Sequence, residues 1–193
     1  MLTLTLFLLL ITTGAAVAQV LEAGVGAGVN RISNRTLEEP VVLKDGWRLN
    51  LFRFTLNPYP HFGFEAGYSY VRTNWDVGDG QTFGTATHQG HGTALAYLVS
   101  EGSRVRPFVA GGVQFSNFIF PGYSVSSGGG STKLGVNYGG GVKVRVAEHF
   151  LIRFDFRQYL SPKPDLGDFG VPATAPQGWI RLNEFSTGFS YCL

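Results

Sequence analysis

The chain has 193 residues, a formal net charge of +2, 27 glycines, 14% aromatic residues and only 15% charged ones. So few charges are too sparse for an ordinary water-facing surface, and with no basic block or stripe a nucleic-acid partner is not expected. The length suits one all-β domain.

Met1 to Ala18 carries no charged side chain and centres on the run Leu6-Phe7-Leu8-Leu9-Leu10-Ile11. It ends in Ala16-Val17-Ala18 before Gln19, the small-x-small pattern of a signal peptidase site, and its apolar run is short for a spanning helix. Residues 1–18 therefore read as a signal peptide and 19–193 as the exported domain. No Cys follows the site, so a lipoprotein anchor is not expected, and the single Cys192 allows no internal disulfide.

Eight stretches then alternate apolar and polar residues, the period of a strand with two unlike faces. The first is Val20 to Asn30, with Leu21, Ala23, Val25, Ala27 and Val29 opposing Glu22, Gly24, Gly26 and Gly28. The second, Trp47 to Asn57, changes phase: Trp47, Leu49 and Leu51 share one parity and Phe52, Phe54 and Leu56 the other, which a β-bulge near Leu51 and Phe52 reconciles. Asn57-Pro58-Tyr59-Pro60 is a turn. The third strand, Phe62 to Val71, sets Phe62, Phe64, Ala66, Tyr68 and Tyr70 against Gly63, Glu65, Gly67 and Ser69.

A polar connection runs from Arg72 to Gly92, and the fourth strand, Thr93 to Val99, places Leu95, Tyr97 and Val99 on its apolar face. The fifth, Pro107 to Asn117, carries Val109, Val113 and Phe115 opposite Ala110, Gly112 and Gln114. The sixth has Leu134, Val136, Tyr138, Val142, Val144 and Val146 against Lys133, Gly135, Asn137, Gly139, Gly141, Lys143 and Arg145. The seventh, Phe150 to Tyr159, opposes Ile152, Phe154 and Phe156 to Arg153, Asp155 and Arg157. The eighth runs from Gly178 to the end, with Phe185, Thr187, Phe189, Tyr191 and Leu193 on one face.

Short turns at Asn57–Pro60, Ser100–Ser103 and Ala147–His149 alternate with long connections beginning at Ile32, Arg72, Phe118 and Ser161. An even number of strands with this alternation is the plan of an outer-membrane barrel: all-β, eight-stranded, antiparallel, up-and-down. For faces to match across the sixth and seventh strands, paired numbers must sum to an even value, which a three-residue turn at 147–149 satisfies by setting Val146 opposite Phe150.

The polar faces decide which side meets lipid. They are dominated by glycine, which weakens a water-facing strand but makes room for long side chains inside a narrow barrel. Glu22, Glu65, Lys143, Arg145, Arg153, Asp155, Arg157 and Glu184 then form an interior charge network, with Glu184 expected to pair with Arg153 or Arg157. Phe62, Phe150 and Tyr191 near the short turns, and Trp47, Tyr70, Trp75, Phe118, Tyr159 and Trp179 near the long loops, outline two interfacial belts.

Pro107-Phe108-Val109-Ala110-Gly111-Gly112-Val113 resembles the Pro-aromatic strand of the small outer-membrane barrels related to the OmpA transmembrane domain and OmpX. Gly140-Gly141-Val142-Lys143, followed by Leu151 to Tyr159, is similar to that group's glycine-to-charged hairpin. The alternating aromatic C-terminus resembles the signal read by the barrel-assembly machinery, with Leu193 in place of the usual Phe. The resemblance implies an outer-membrane location, outer-membrane lipid as partner and a structural or loop-mediated interaction role, with no cofactor.

Two other functions compete. His88 and His91, placed in the Arg72–Gly92 connection, offer a lipid-modifying enzyme a base or a metal ligand, but that connection contains no Ser nucleophile. A soluble secreted barrel would turn the greasy face inward around a ligand. The expectation is no enzyme, no catalytic, cofactor-binding or metal residues, and a loop ligand that the loops' Pro, Gly, Ser and Asp do not identify. The mature protein is expected to begin at Gln19, and the intact mass of the membrane form checks this: retention of residues 1–18 would contradict it.

Overall fold

The computed structural model describes residues 21–34, 36–38, 41–119, 130–164 and 178–193. The segment read as a signal peptide lies outside them, as do most of the connections expected from Phe118 and from Ser161. The strands are β1 (Leu21–Ser33), β2 (Thr36–Glu38), β3 (Val41–Leu43), β4 (Gly46–Tyr59), β5 (Phe62–Asp76), β6 (Thr82–Tyr97), β7 (Val105–Ile119), β8 (Gly130–Ala147), β9 (Phe150–Pro162) and β10 (Trp179–Cys192).

All pairings are antiparallel. β4 to β10 pair in chain order, and β1 pairs with both β4 and β10, so eight long strands close on themselves. Closure satisfies the strand hydrogen bonds without leaving edges, the condition for crossing lipid with strands. Burial is inverted relative to a water-soluble protein: Val113 is 66% exposed and Phe189 62%, while Arg48 and Arg157 are 0% exposed. The greasy faces point outward and the polar faces inward, as the glycine bias indicates.

The bulge in the second strand is present. Asn50 pairs with Ser69 and Phe52 with Tyr68, leaving Leu51 as the extra residue, and Leu51 and Phe52 are both exposed. As a result Arg48 and Arg53, which differ in parity, both point into the barrel.

Four expectations are corrected. First, the strands run further toward the long-loop end than their apolar patterns extend. β5 and β6 pair up to Asp76 and Thr82, reducing the Arg72–Gly92 connection to residues 77–81. A ribbon of β2 and β3 docks on this extension through Val42 opposite Asp76 and Leu43 opposite Trp75. There, beyond the outer aromatic belt, Lys44 donates to Asp76 at 2.9 Å and holds its carboxyl below the usual range.

Second, Leu95 and Tyr97 face inward, while Ala94 and Leu98 take the outer face. The run Thr93 to Val99 is apolar at both parities, so alternation there does not identify the lipid side. Third, Trp75, Phe118 and Tyr159 are buried in the interior; Trp47 and Trp179 remain exposed at the belt. Fourth, the turn between β8 and β9 is the two residues Glu148 and His149, because Ala147 pairs with Phe150. The expected register survives, with Lys143 opposite Arg153 and Val142 opposite Phe154, because an irregularity between Arg145 and Ala147 absorbs Val146.

Val136 and Tyr138 are exposed on the even-numbered face of β8, and Val142 shares that face. Val142→Arg is expected to cost about 2–4 kcal/mol near the bilayer midplane. Unchanged unfolding of this variant in lipid vesicles would contradict the outward assignment.

Candidate functional site

The interior is built in layers. Glu65 on β5 stands at the centre. It accepts from Arg157 Nη2 at 2.6 Å, from Arg153, from Thr55 Oγ1 at 3.2 Å and from His91 Nε2 at 3.3 Å, with Arg53 Nε at 3.6 Å. Asp155 on β9 accepts two hydrogen bonds from Arg153, at 2.7 and 2.8 Å, and one from Arg53 Nη1 at 3.0 Å. Such forked, charge-assisted contacts suit Arg, whose planar head fits a carboxylate with two parallel N–H groups.

Toward the short turns, Lys143 Nζ donates to Glu22 at 2.6 Å and to Tyr97 Oη at 2.9 Å. Tyr97 passes a hydrogen bond to Asn57, and Asn57 Nδ2 donates back to Glu22. Toward the long loops, Glu184 accepts from Asn50, Ser186 and Tyr159 at 2.5–2.9 Å, with Arg48 at 3.4 Å. Arginine heads also lie over rings: Arg48 over Tyr159 and Arg153 over Phe108, each at 4.7 Å. Glycine makes this possible at particular points. A Cβ on Gly67 would lie 2.5 Å from the His91 ring, and one on Gly141 2.9 Å from the Phe108 ring.

Two apolar clusters flank the charged groups. Ile32, Leu37, Leu43, Trp75, Phe118, Tyr159, Ile180 and Leu182 cluster at the long-loop end. Leu95, Tyr97, Phe108 and Ala110 cluster at the other.

Seven of the eight charged residues read from the sequence are buried here: Glu22, Glu65, Lys143, Arg153, Asp155, Arg157 and Glu184. Arg145 is on the same face of β8 but only half-buried, near the short turn. The sequence reading of Glu184 is corrected. Arg157 is its backbone neighbour in the register, but the Arg157 head turns to Glu65, and Arg48 and Arg53 are the cations beside Glu184. Those two arginines were missed, together with Arg106, which stacks on Tyr97 at 3.5 Å. The bulge was the available signal for Arg48 and Arg53.

The histidine pair is also corrected. His88 and His91 lie within β6, and three residues apart on a strand they face opposite ways. His91 is buried on Glu65, whereas His88 faces outward and meets Tyr68 Oη at 2.7 Å. They cannot share a metal or relay a proton between them.

Residues 3–191 match the model of a family described as the outer membrane protein beta-barrel domain. Among solved structures, the chain is similar to Neisserial surface protein A, at 13% identity and a TM-score of 0.63, covering 90% of this chain and 97% of that one. It is similar to Ail, the attachment invasion locus protein of Yersinia pestis crystallised with the heparin analogue sucrose octasulfate, at 12% identity, TM-score 0.54 and coverage of 90% and 97%. It is also similar to Outer Membrane Protein W of E. coli, at 15% identity, TM-score 0.54 and coverage of 93% and 100%. No curated protein matches the chain.

Removing one partner of a buried ion pair leaves the other charge uncompensated, typically at about 3–5 kcal/mol. Glu184→Ala is expected to destabilise the barrel on that scale. In double-mutant cycles read by denaturant unfolding in vesicles, Glu184→Ala should couple more strongly to Arg48→Ala than to Arg153→Ala. The opposite order would place the Glu184 contact on β9.

Proposed function

We propose that this chain, which belongs to the outer membrane protein β-barrel domain family and lies in the outer membrane, is a closed scaffold that presents its long loops for interaction. In this reading it neither passes solute nor carries out chemistry. One observation supports it most: an ion-paired core links strands on opposite walls across the interior, with an apolar cluster on its long-loop side. A barrel of eight strands has an interior only wide enough for side chains. Opening a path here means breaking several charge-assisted hydrogen bonds at once in a dry environment.

An enzymatic reading through the histidines loses its geometric basis once His88 and His91 point to opposite faces. A loop-borne role is in keeping with where binding residues usually sit, on connections positioned by a rigid scaffold. Two of the structural relatives are described as a surface protein and as an attachment invasion locus protein, the latter in complex with the heparin analogue sucrose octasulfate. The partners within the envelope are outer-membrane lipid along the exposed apolar belt and, during assembly, the machinery that reads the outward row Phe185, Phe189, Tyr191 and Leu193 on and after β10.

Purified protein in planar bilayers is expected to give no stable porin-sized current steps. Lipid A from cells with and without the protein is expected to give identical mass spectra. Stable open steps would contradict the plug, and a changed lipid A spectrum would contradict the non-enzymatic reading.

A further inference from the structure

The outer surface carries a cationic sector that the charged interior does not use. On β1 and β10 the outward pair Val29 and Phe185 is apolar, and the next two outward rows toward the long loops are Arg31 opposite Asn183 and Ser33 opposite Arg181. Arg31 and Arg181 are exposed and stand diagonally across the two strands, within reach of each other's long side chains. Among the described residues neither guanidinium has a hydrogen bond or an ion pair, and neither has the Lys163 ammonium just past β9. Asp45 and Asp76, carboxylates at the same end, are taken up by the Ile32 N–H and by Lys44. Guanidinium groups on neighbouring strands repel one another, and an anion between them relieves this.

A row of hydrogen bonds marks the height of this sector. Tyr138 Oη donates to Gln158, Gln158 Nε2 donates to Asn183 Oδ1 at 2.6 Å, and Asn183 Nδ2 donates to the Arg31 carbonyl at 3.2 Å. Polar side chains turn outward here, on the face that carries Phe156 and Phe185 one row closer to the short turns. With exposed Trp179 further along β10, this is the level at which the strands leave hydrocarbon for headgroups.

Beyond it lies a cleft of about 340 Å³ lined by Asn34, Thr36, Lys163, Gly178 and Trp179. The cleft sits between the β1–β2 turn and the ends of β9 and β10, which are tied by the Lys163 N–H donating to the Gly178 carbonyl at 3.1 Å. Its size is that of a small-ligand pocket. Arg31 and Arg181 do not line it. They stand on its membrane side, and Arg181 shares the outward face of β10 with Trp179, two residues away.

This combination selects a ligand class. An amide, a hydroxyl and an ammonium bond to sugar hydroxyls, and an indole face packs on the apolar face of a sugar ring. Two guanidinium groups fork onto a phosphate. We propose that this rim binds the phosphorylated sugar headgroup of an outer-leaflet glycolipid, with phosphate on Arg31 and Arg181 and sugar in the cleft against Trp179. The proposal rests on the reading of the long-loop end as the interaction surface and names a partner for it. A bilayer-anchored source fits best because the arginines stand at the edge of the apolar belt, where a tethered anion is concentrated. Without that glycolipid both guanidinium groups remain in water.

The test uses the full barrel in phosphatidylcholine nanodiscs, with lipid A carrying both phosphates titrated in. NMR follows the Trp179 indole N–H and the Arg31 and Arg181 Nε–H groups. All three signals should shift and saturate together, while that of buried Trp75 stays in place. Phosphatidylglycerol should need at least tenfold more for the same shift of Trp179. Changing both arginines, Arg31→Gln and Arg181→Gln, should weaken the affinity for lipid A read at Trp179 at least tenfold. If that double variant does not refold, Arg181→Gln alone should still weaken it severalfold. No saturable shift with lipid A, or unchanged affinity in the variants, overturns the site. An equal response to phosphatidylglycerol overturns the sugar, and saturation by free inorganic phosphate overturns the lipid source. A barrel that conducts yet binds lipid A here contradicts the closed scaffold alone, whereas a closed barrel without the shift contradicts this site alone.

Discussion

The constraint on which the rest depends is that long charged side chains must be neutralised inside a space closed by eight strands. Glu65 is the hub. It gathers Arg153 and Arg157 from β9, Arg53 and Thr55 from β4 and His91 from β6, so one carboxylate ties together strands on opposite walls. Buried ion pairs are a weak source of net stability, because desolvation offsets much of their attraction. Their specificity is stronger. A one-residue slip in any wall strand would move its charges to the lipid face, so the network and the register enforce each other.

The layering strengthens this. Apolar clusters lie beside the charged groups, one spanning the long-loop end and one on β6 and β7 toward the short turns. The same clusters supply aromatic surfaces to the cations, as Phe108 does for Arg153 and Tyr159 for Arg48. Tyr159 also donates its hydroxyl to Glu184, which joins the outer apolar layer to the polar one. On the outside, exposed Phe, Val, Leu and Tyr side chains meet lipid, and Trp47 and Trp179 mark its outer boundary.

Much of this was legible in the sequence, for a physical reason. In a membrane barrel the two faces meet opposite environments, so alternation is strong where one strand face is greasy and the other carries Gly, Lys, Arg, Asp or Glu. β8 and β9 illustrate this, and the phase break at Leu51 and Phe52 marked the bulge. Legibility failed where that contrast fades. Thr93 to Val99 is apolar at both parities, and its inward side turned out to be Leu95 and Tyr97. Beyond the bilayer the strands of β5 and β6 continue through Asn, Asp, Thr and Gly with no greasy face to announce them. Partner choice inside the barrel failed for another reason: register fixes backbone neighbours, but an arginine head reaches past its neighbour, as Arg157 does toward Glu65 while facing Glu184 in the ladder.

The most direct measurement is hydrogen exchange at the arginine Nε–H groups, followed by NMR of the barrel in lipid nanodiscs. A dry, ion-paired core predicts slow exchange at Arg153, whose Nε donates to Asp155 at 2.7 Å, and at Arg48, whose Nε donates to Asn50. Arg31 and Arg181, on the exposed face near the long loops, should exchange at the rate of free arginine. Equal, rapid exchange at all four positions would show a wet interior and contradict the closed ion core.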